Sequence, residues 1–128
     1  MAHVSDSLAR WHAVVESADP SAVPGLLAED AVFRSPALFA PQEGRAVVAA
    51  YLGAAIQVLG PEFRYHREWV GEDSAVLEFT SSVGGREVHG IDMITWDGAG
   101  QIAEFTVMVR PFSALQALMQ AMAAQLSA

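Results

Sequence analysis

Up to Leu59 the apolar positions of this chain recur at helical spacing, and beyond Pro61 they alternate, so helices precede strands. Leu8, Trp11, His12, Val15 and Ala18 fall on one face of a first helix, which Ser5 or Asp6 is expected to N-cap. Asp19-Pro20 ends it and opens a short second helix through Val23, Leu26 and Leu27. Pro24 sits in its first turn, where a missing N–H is tolerated. Ala31 to Ser35 reads as a short strand stopped by Pro36. A third helix runs from Ala46 to Leu59, with Val47, Tyr51, Ala54, Ala55 and Val58 on one face, and Gly60-Pro61 terminates it.

In the alternating half, Phe63, Tyr65, Arg67 and Trp69 are set against Arg64, His66, Glu68 and Val70. Ala75, Leu77, Phe79 and Ser81 are set against Val76, Glu78, Thr80 and Ser82. Gly84-Gly85 is a two-residue hairpin signal, and Asp97-Gly98-Ala99-Gly100 makes the next turn. Gln101 to Arg110 is the last long strand, stopped by Pro111. Ser113 to Leu126 returns to helical spacing, with Phe112, Leu115, Leu118, Met119, Met122 and Leu126 in a stripe. Helices followed by an antiparallel meander predict one α+β domain over residues 1–128. A sheet of this size must bury one face. If it curls around the helices, a conical cavity results, and the final helix covers its mouth or packs on a partner.

One residue breaks the apolar pattern. Asp92 lies among Ile91, Met93, Ile94 and Trp96, sharing its strand face with Val88, Gly90, Ile94 and Trp96. Both faces of this strand are largely apolar, so its carboxyl is expected to be buried, with a raised pKa and the capacity to donate a hydrogen bond. The alternative is a structural pairing with a nearby His or Arg.

Composition narrows the partners. The 128 residues carry a net charge of -8, no lysine and seven scattered arginines, which argues against nucleic acid and anionic membranes. Cysteine is absent, excluding disulfides and thiolate chemistry. The N-terminal M-A-H-V-S-D-S has neither a basic nor an apolar signal region, and Ala46 to Leu59 is too short to span a bilayer, so a cytoplasmic location is expected. His3, His12, His66 and His89 lack metal-ligand spacing, and no metal or cofactor is expected. His12 flanks the core stripe and could reach the cavity.

Four motifs in order, A-R-W-H at 9–12, L-A-E-D-A-V-F-R-S-P at 27–36, G-R-A-V-V-A-A-Y at 44–51 and G-I-D-M-I-T-W-D-G-A-G-Q-I at 90–102, carry a resemblance over nearly the whole chain. The layout resembles the nuclear transport factor 2-like superfamily, which includes ketosteroid isomerases, limonene epoxide hydrolases and SnoaL-like polyketide cyclases. The resemblance implies N-terminal helices packed in the concave face of a strongly curved antiparallel sheet, a cystatin-like cone, with an extra C-terminal helix. It also implies dimerisation through the outer sheet face.

The ketosteroid isomerase mechanism uses an aspartate base with a tyrosine and a protonated aspartic acid as oxyanion donors. Carried over by motif, the protonated acid falls on Asp92, the tyrosine on Trp11 and the base on Ser35. Tryptophan supplies an N–H but no phenol, and serine cannot act as the carboxylate base, so a faithful ketosteroid isomerase is not expected. The epoxide hydrolase template fits less well, since its arginine falls on Gly90 and its second aspartate close to Arg110. Ser35 also lacks the elbow motif of a serine nucleophile. The expected cavity lining comprises Trp11, Ser35, Tyr51, Phe63 and Tyr65, then Leu77, Phe79, Phe105 and Val107, with Val15 and Phe33 beside them. Trp11, Tyr51 and Tyr65 are each open to plain core packing as well. Such a lining suits a small apolar molecule bearing a carbonyl or hydroxyl. The expected activity is a cofactor-independent isomerase, cyclase or hydrolase with Asp92 as acid or base. The alternative is a non-catalytic ligand-binding or dimeric interaction domain.

Overall fold

A computed structural model describes residues 3–127; residues 1, 2 and 128 of the expected domain lie outside the described residues. Helix α1 spans Val4–Ser17 and is followed by two single-turn helices, Pro20–Ala22 and Pro24–Leu26. Strands β1 (Leu27–Arg34) and β2 (Gln42–Glu43) precede α2 (Arg45–Leu59). Then come β3 (Arg64–Val70), β4 (Ser74–Val83), β5 (Arg86–Trp96), β6 (Ile102–Arg110) and α3 (Phe112–Leu126). The strands form one six-stranded sheet in the order β2-β1-β6-β5-β4-β3. The α+β cone is as expected. One pair departs from the antiparallel pattern: β1 lies parallel to β6, because the chain enters the sheet through β1 and returns to it only after α2 and the meander.

The inner face of the sheet carries the core. Leu8, Trp11 and Val14 of α1 and Val48 and Leu52 of α2 pack on Phe33, Leu77, Ile94 and Phe105. A second cluster joins Phe79, Val83 and Val88 to Ala114 and Leu118 of α3. Three local expectations change. Helix α1 starts two residues early, with His3 as N-cap and its carbonyl accepting the N–H groups of Asp6 and Ser7, so Ser5 and Asp6 lie inside the first turn. Ser7 is instead buried and donates to the Gly100 carbonyl at 3.2 Å, alongside Arg10 at 3.0 Å, which fastens α1 to the β5–β6 turn. The expected second helix resolves into two turns, because Pro20 and Pro24 each start one and neither is continued. The strand expected at Ala31 extends back to Leu27, where pairing with Ile102 outweighs the charged Glu29 and Asp30.

The largest departure is in β3. Tyr65 pairs with Phe79 and Glu68 with Leu77, so three steps on β3 match two on β4. This is a β-bulge, and it breaks strict alternation. Arg67 is thereby turned to the outer face and Glu68 to the inner one, the reverse of the expected sides.

Gly90 permits close approach of two elements. A Cβ there would lie 2.5 Å from the Met108 carbonyl oxygen and 2.6 Å from the Phe79 ring. Gly90→Ala should therefore destabilise the fold by roughly 1–3 kcal/mol, the usual cost of overpacking, measured by urea unfolding.

Candidate functional site

The concave side encloses a cavity of about 1080 Å³, lined by α1, α2, α3 and the inner face of the sheet. Of the expected lining, Trp11, Ser35, Tyr51, Phe63 and Tyr65 reach it, as do Phe79, Phe105 and Val107. Val15 and Phe33 reach it as well. Leu77 does not. It is 0% exposed and lies in the core cluster under α1 and α2, because the curled sheet brings those helices directly onto that part of β4. The apolar wall includes stacked or edge-on rings: Phe63 lies 5.1 Å from Phe79, and Trp11 lies 5.1 Å from Phe105.

Asp92 sits in the middle of β5, in register with Leu77 of β4 and Val107 of β6. It is 6% exposed and faces the cavity. Its Oδ2 accepts the Tyr65 hydroxyl at 2.5 Å, and the Tyr65 oxygen in turn accepts the Trp11 indole N–H at 2.9 Å. Tryptophan can only donate, so the direction of this relay is fixed. Trp11 and Tyr65 thus spend their donors inside the protein, holding one oxygen of Asp92. The other oxygen has no protein partner among the described residues. Burial pushes the Asp92 carboxyl up to about 7, with the Tyr65 hydrogen bond pulling in the opposite direction. Burial and the Asp92 charge push the Tyr65 phenol well above its ordinary range, so the proton between them stays on tyrosine.

The other expected residues are less engaged. Ser35 lies at the cavity rim, and its Oγ accepts the Ala37 N–H at 2.9 Å, closing the turn through Pro36. Tyr51 stands beside Phe33, ring centroids 5.7 Å apart, and its hydroxyl has no protein partner among the described residues. Helix α3 covers one side of the cavity with Leu115, Met119 and Met122, and Gln125 hydrogen-bonds Gln57 of α2.

Among the polar lining residues outside the expected list, two face each other. His12 Nε2 lies 3.0 Å from Glu68 Oε1, and both reach the cavity. The His12 ring meets Tyr65 edge-on at 5.2 Å. His12 was expected to flank the core stripe of its helix within reach of the cavity, and it does reach the wall. Glu68 gave no sequence signal, because only the bulge turns it inward. Among the described residues no group of three metal-ligating side chains is present. No helix among them is long and apolar enough to cross a membrane.

A curved sheet closed over an apolar cavity with one buried acid defines the class, the cystatin-like cone. Residues 8–105 match the model of the SnoaL-like domain, and the chain belongs to that family. It is 44% identical to a steroid delta-isomerase from Pseudomonas aeruginosa, over 99% of this chain and 93% of that one, at a TM-score of 0.94. An uncharacterised protein with a cystatin-like fold from Silicibacter pomeroyi is 39% identical, over 93% and 84% of the two chains, at a TM-score of 0.87. The epoxide hydrolase/cyclase-like enzyme SalBIII shares the fold at 16% identity and a TM-score of 0.69, covering 87% of this chain and 92% of its own. No curated protein matches the sequence.

The Asp92 carboxyl has an ordinary value of 3.8 when unfolded and about 7 when folded. Its contribution to stability is therefore full below the lower value and is lost as pH rises toward the upper one. Asp92→Asn, which keeps an acceptor for Tyr65 and never ionises, should raise Tm most near about pH 8 and clearly less near about pH 5, read by thermal unfolding at both pH values.

Proposed function

We propose that this protein is a cofactor-independent enzyme of the isomerase type, acting on an apolar molecule that carries a ketone. Asp92 is its acid, giving a proton or a hydrogen bond to the ketone oxygen. The observation that carries this reading is the Trp11–Tyr65–Asp92 relay, which leaves one oxygen of a carboxyl that titrates near neutrality free in an apolar cavity. A buried acid held in this way can stay protonated at neutral pH and stabilise the negative charge that develops on an enolising ketone. The likeness to a protein named a steroid delta-isomerase supports an isomerase among the reactions of the family. Ser35, standing where the template has its base, favours a second reading, a binding domain without turnover.

One assay separates them. β-Naphthol should raise Tm, and a bicyclic β,γ-unsaturated ketone should be converted to its conjugated isomer, followed by ultraviolet absorbance. Asp92→Asn should slow that conversion by about 100-fold or more, the usual worth of a positioned acid. Binding without conversion would favour the second reading, and an Asp92→Asn variant with unchanged affinity and turnover would sink the role given to Asp92.

The outer sheet face supports pairing of two copies. Met93 is 38% and Met108 54% exposed there, beside half-buried Ile91 and Val76. Methionine-rich apolar surface of this kind suits a self-complementary interface. Light scattering should give a dimer at micromolar concentration and a monomer for Met108→Glu.

A further inference from the structure

We propose that His12 is the proton-accepting group of this cavity and that Glu68 positions it. The inference rests on the isomerase reading above, and it supplies what that reading lacks. An isomerase that moves a double bond needs an acid at the ketone oxygen and a base at the neighbouring carbon. Ser35 is no base, and its oxygen is already bonded to the Ala37 N–H.

The carboxylate, imidazole and guanidinium groups on the cavity wall leave one candidate. Asp92 is the acid, and Tyr65 is committed to it. Arg64 cannot accept a proton, and His66 Nε2 is turned to Thr80 on the outer face. Glu16, one turn along α1, is an exposed rim group with no partner among the described residues to orient it. Glu68 is directed at His12. His12 is held on both sides, by Glu68 at 3.0 Å and by the Tyr65 ring edge-on at 5.2 Å.

The pairing also fixes the tautomer. An ionised carboxylate accepts hydrogen bonds and donates none, so the Nε2 beside Glu68 carries the proton. Nδ1 keeps its lone pair and has no protein partner among the described residues. A base oriented by a carboxylate on its far nitrogen is the arrangement that proton abstraction asks for. The His12 side chain is 29% exposed, which places it on the wall yet within reach of solvent. Acid and base then meet one tyrosine, Asp92 at the hydroxyl of Tyr65 and His12 perpendicular to its ring.

The step balances without any added reagent. His12 Nδ1 takes a proton from the carbon between the ketone and the alkene, and the C–H electron pair becomes a new C=C bond. The carbonyl π pair moves to oxygen, which takes the Asp92 proton. The His12 imidazolium returns its proton to the far alkene carbon, the C=O re-forms and the oxygen's proton goes back to Asp92. Substrate and product differ only in the position of one double bond.

The groups facing His12 are Glu68 and Tyr65 from β3 and Glu16 from its own helix, so its variants are compared at one fixed neutral pH. The bicyclic β,γ-unsaturated ketone serves as substrate, and displacement of β-naphthol reports affinity. His12→Gln should lower kcat by about 100-fold or more, with affinity for naphthol within about 3-fold of wild type. Glu68→Gln, a second variant that leaves the imidazole in place, should lower kcat by about 10-fold with KM unchanged. Turnover of His12→Gln within about 3-fold of wild type would overturn the proposal, as would wild-type protein that binds naphthol but converts no ketone. If wild-type protein binds no naphthol, the cavity reading itself falls.

Discussion

The structure turns on the cost of placing one carboxyl inside an apolar sheet. Nothing in the core around Asp92 can neutralise a charge; its only protein hydrogen bond among the described residues comes from a phenol. Burial therefore raises its pKa to about 7, and the fold must tolerate a group that is neutral on one side of physiological pH and charged on the other. Each element near the site bears on this cost. Helix α1 brings the Trp11 N–H, β3 brings the Tyr65 hydroxyl, and β4 and β6 flank the carboxyl with Leu77 and Val107. A chain of two hydrogen bonds polarises along its length, so each donor strengthens the next.

The opposite face of the same sheet treats a carboxylate in the opposite way. Glu78, on β4, lies between Arg67 at 2.7 Å and His89 at 2.8 Å, and Arg110 reaches His89 at 3.2 Å. Arg67 above all, then His89, holds the Glu78 carboxyl down at about 2. The two groups therefore act on stability in opposite senses. The Glu78 contribution is present above its ordinary value of 4.5 and is lost as pH falls toward 2. The Asp92 contribution is lost as pH rises toward 7. Between them they favour the mildly acidic range. A guanidinium partner on the outer face, or a phenol beside a cavity, decides what adjacent strands make of the same functional group.

Much of this was legible in the sequence. The helical face through Leu8, Trp11 and Val15, the Gly84-Gly85 hairpin and the acid in an apolar strand each follow from local spacing, and they locate α1, the meander and Asp92. The rest depends on contacts distant in the chain. Leu77 alternates like Phe79, but only the curl of the sheet decides that one is sealed in the core and the other borders the cavity. Tyr65 reads as a buried ring, yet that its hydroxyl lies between Trp11 and Asp92 is settled by three elements meeting. Nothing in the local spacing marks Ser7 as the buried tie to the turn at Gly100. Alternation itself misleads after Tyr65, where one extra residue in β3 reverses the sides of Arg67 and Glu68.

That extra residue bears on the outer face of the sheet more than on the cavity. Deleting one position between Tyr65 and Glu68 would restore plain alternation and change no element of the fold. Tyr65 and Glu68 would then stand two residues apart, and regular pleating would still present both to the cavity, with one outward residue between them in place of His66 and Arg67. The outer contacts of β3, His66 on Thr80 and Arg67 on Glu78, are thus written in the length of one strand as much as in its side chains. A chain one residue shorter there would keep the cone and both cavity groups and give up one of those two outer contacts.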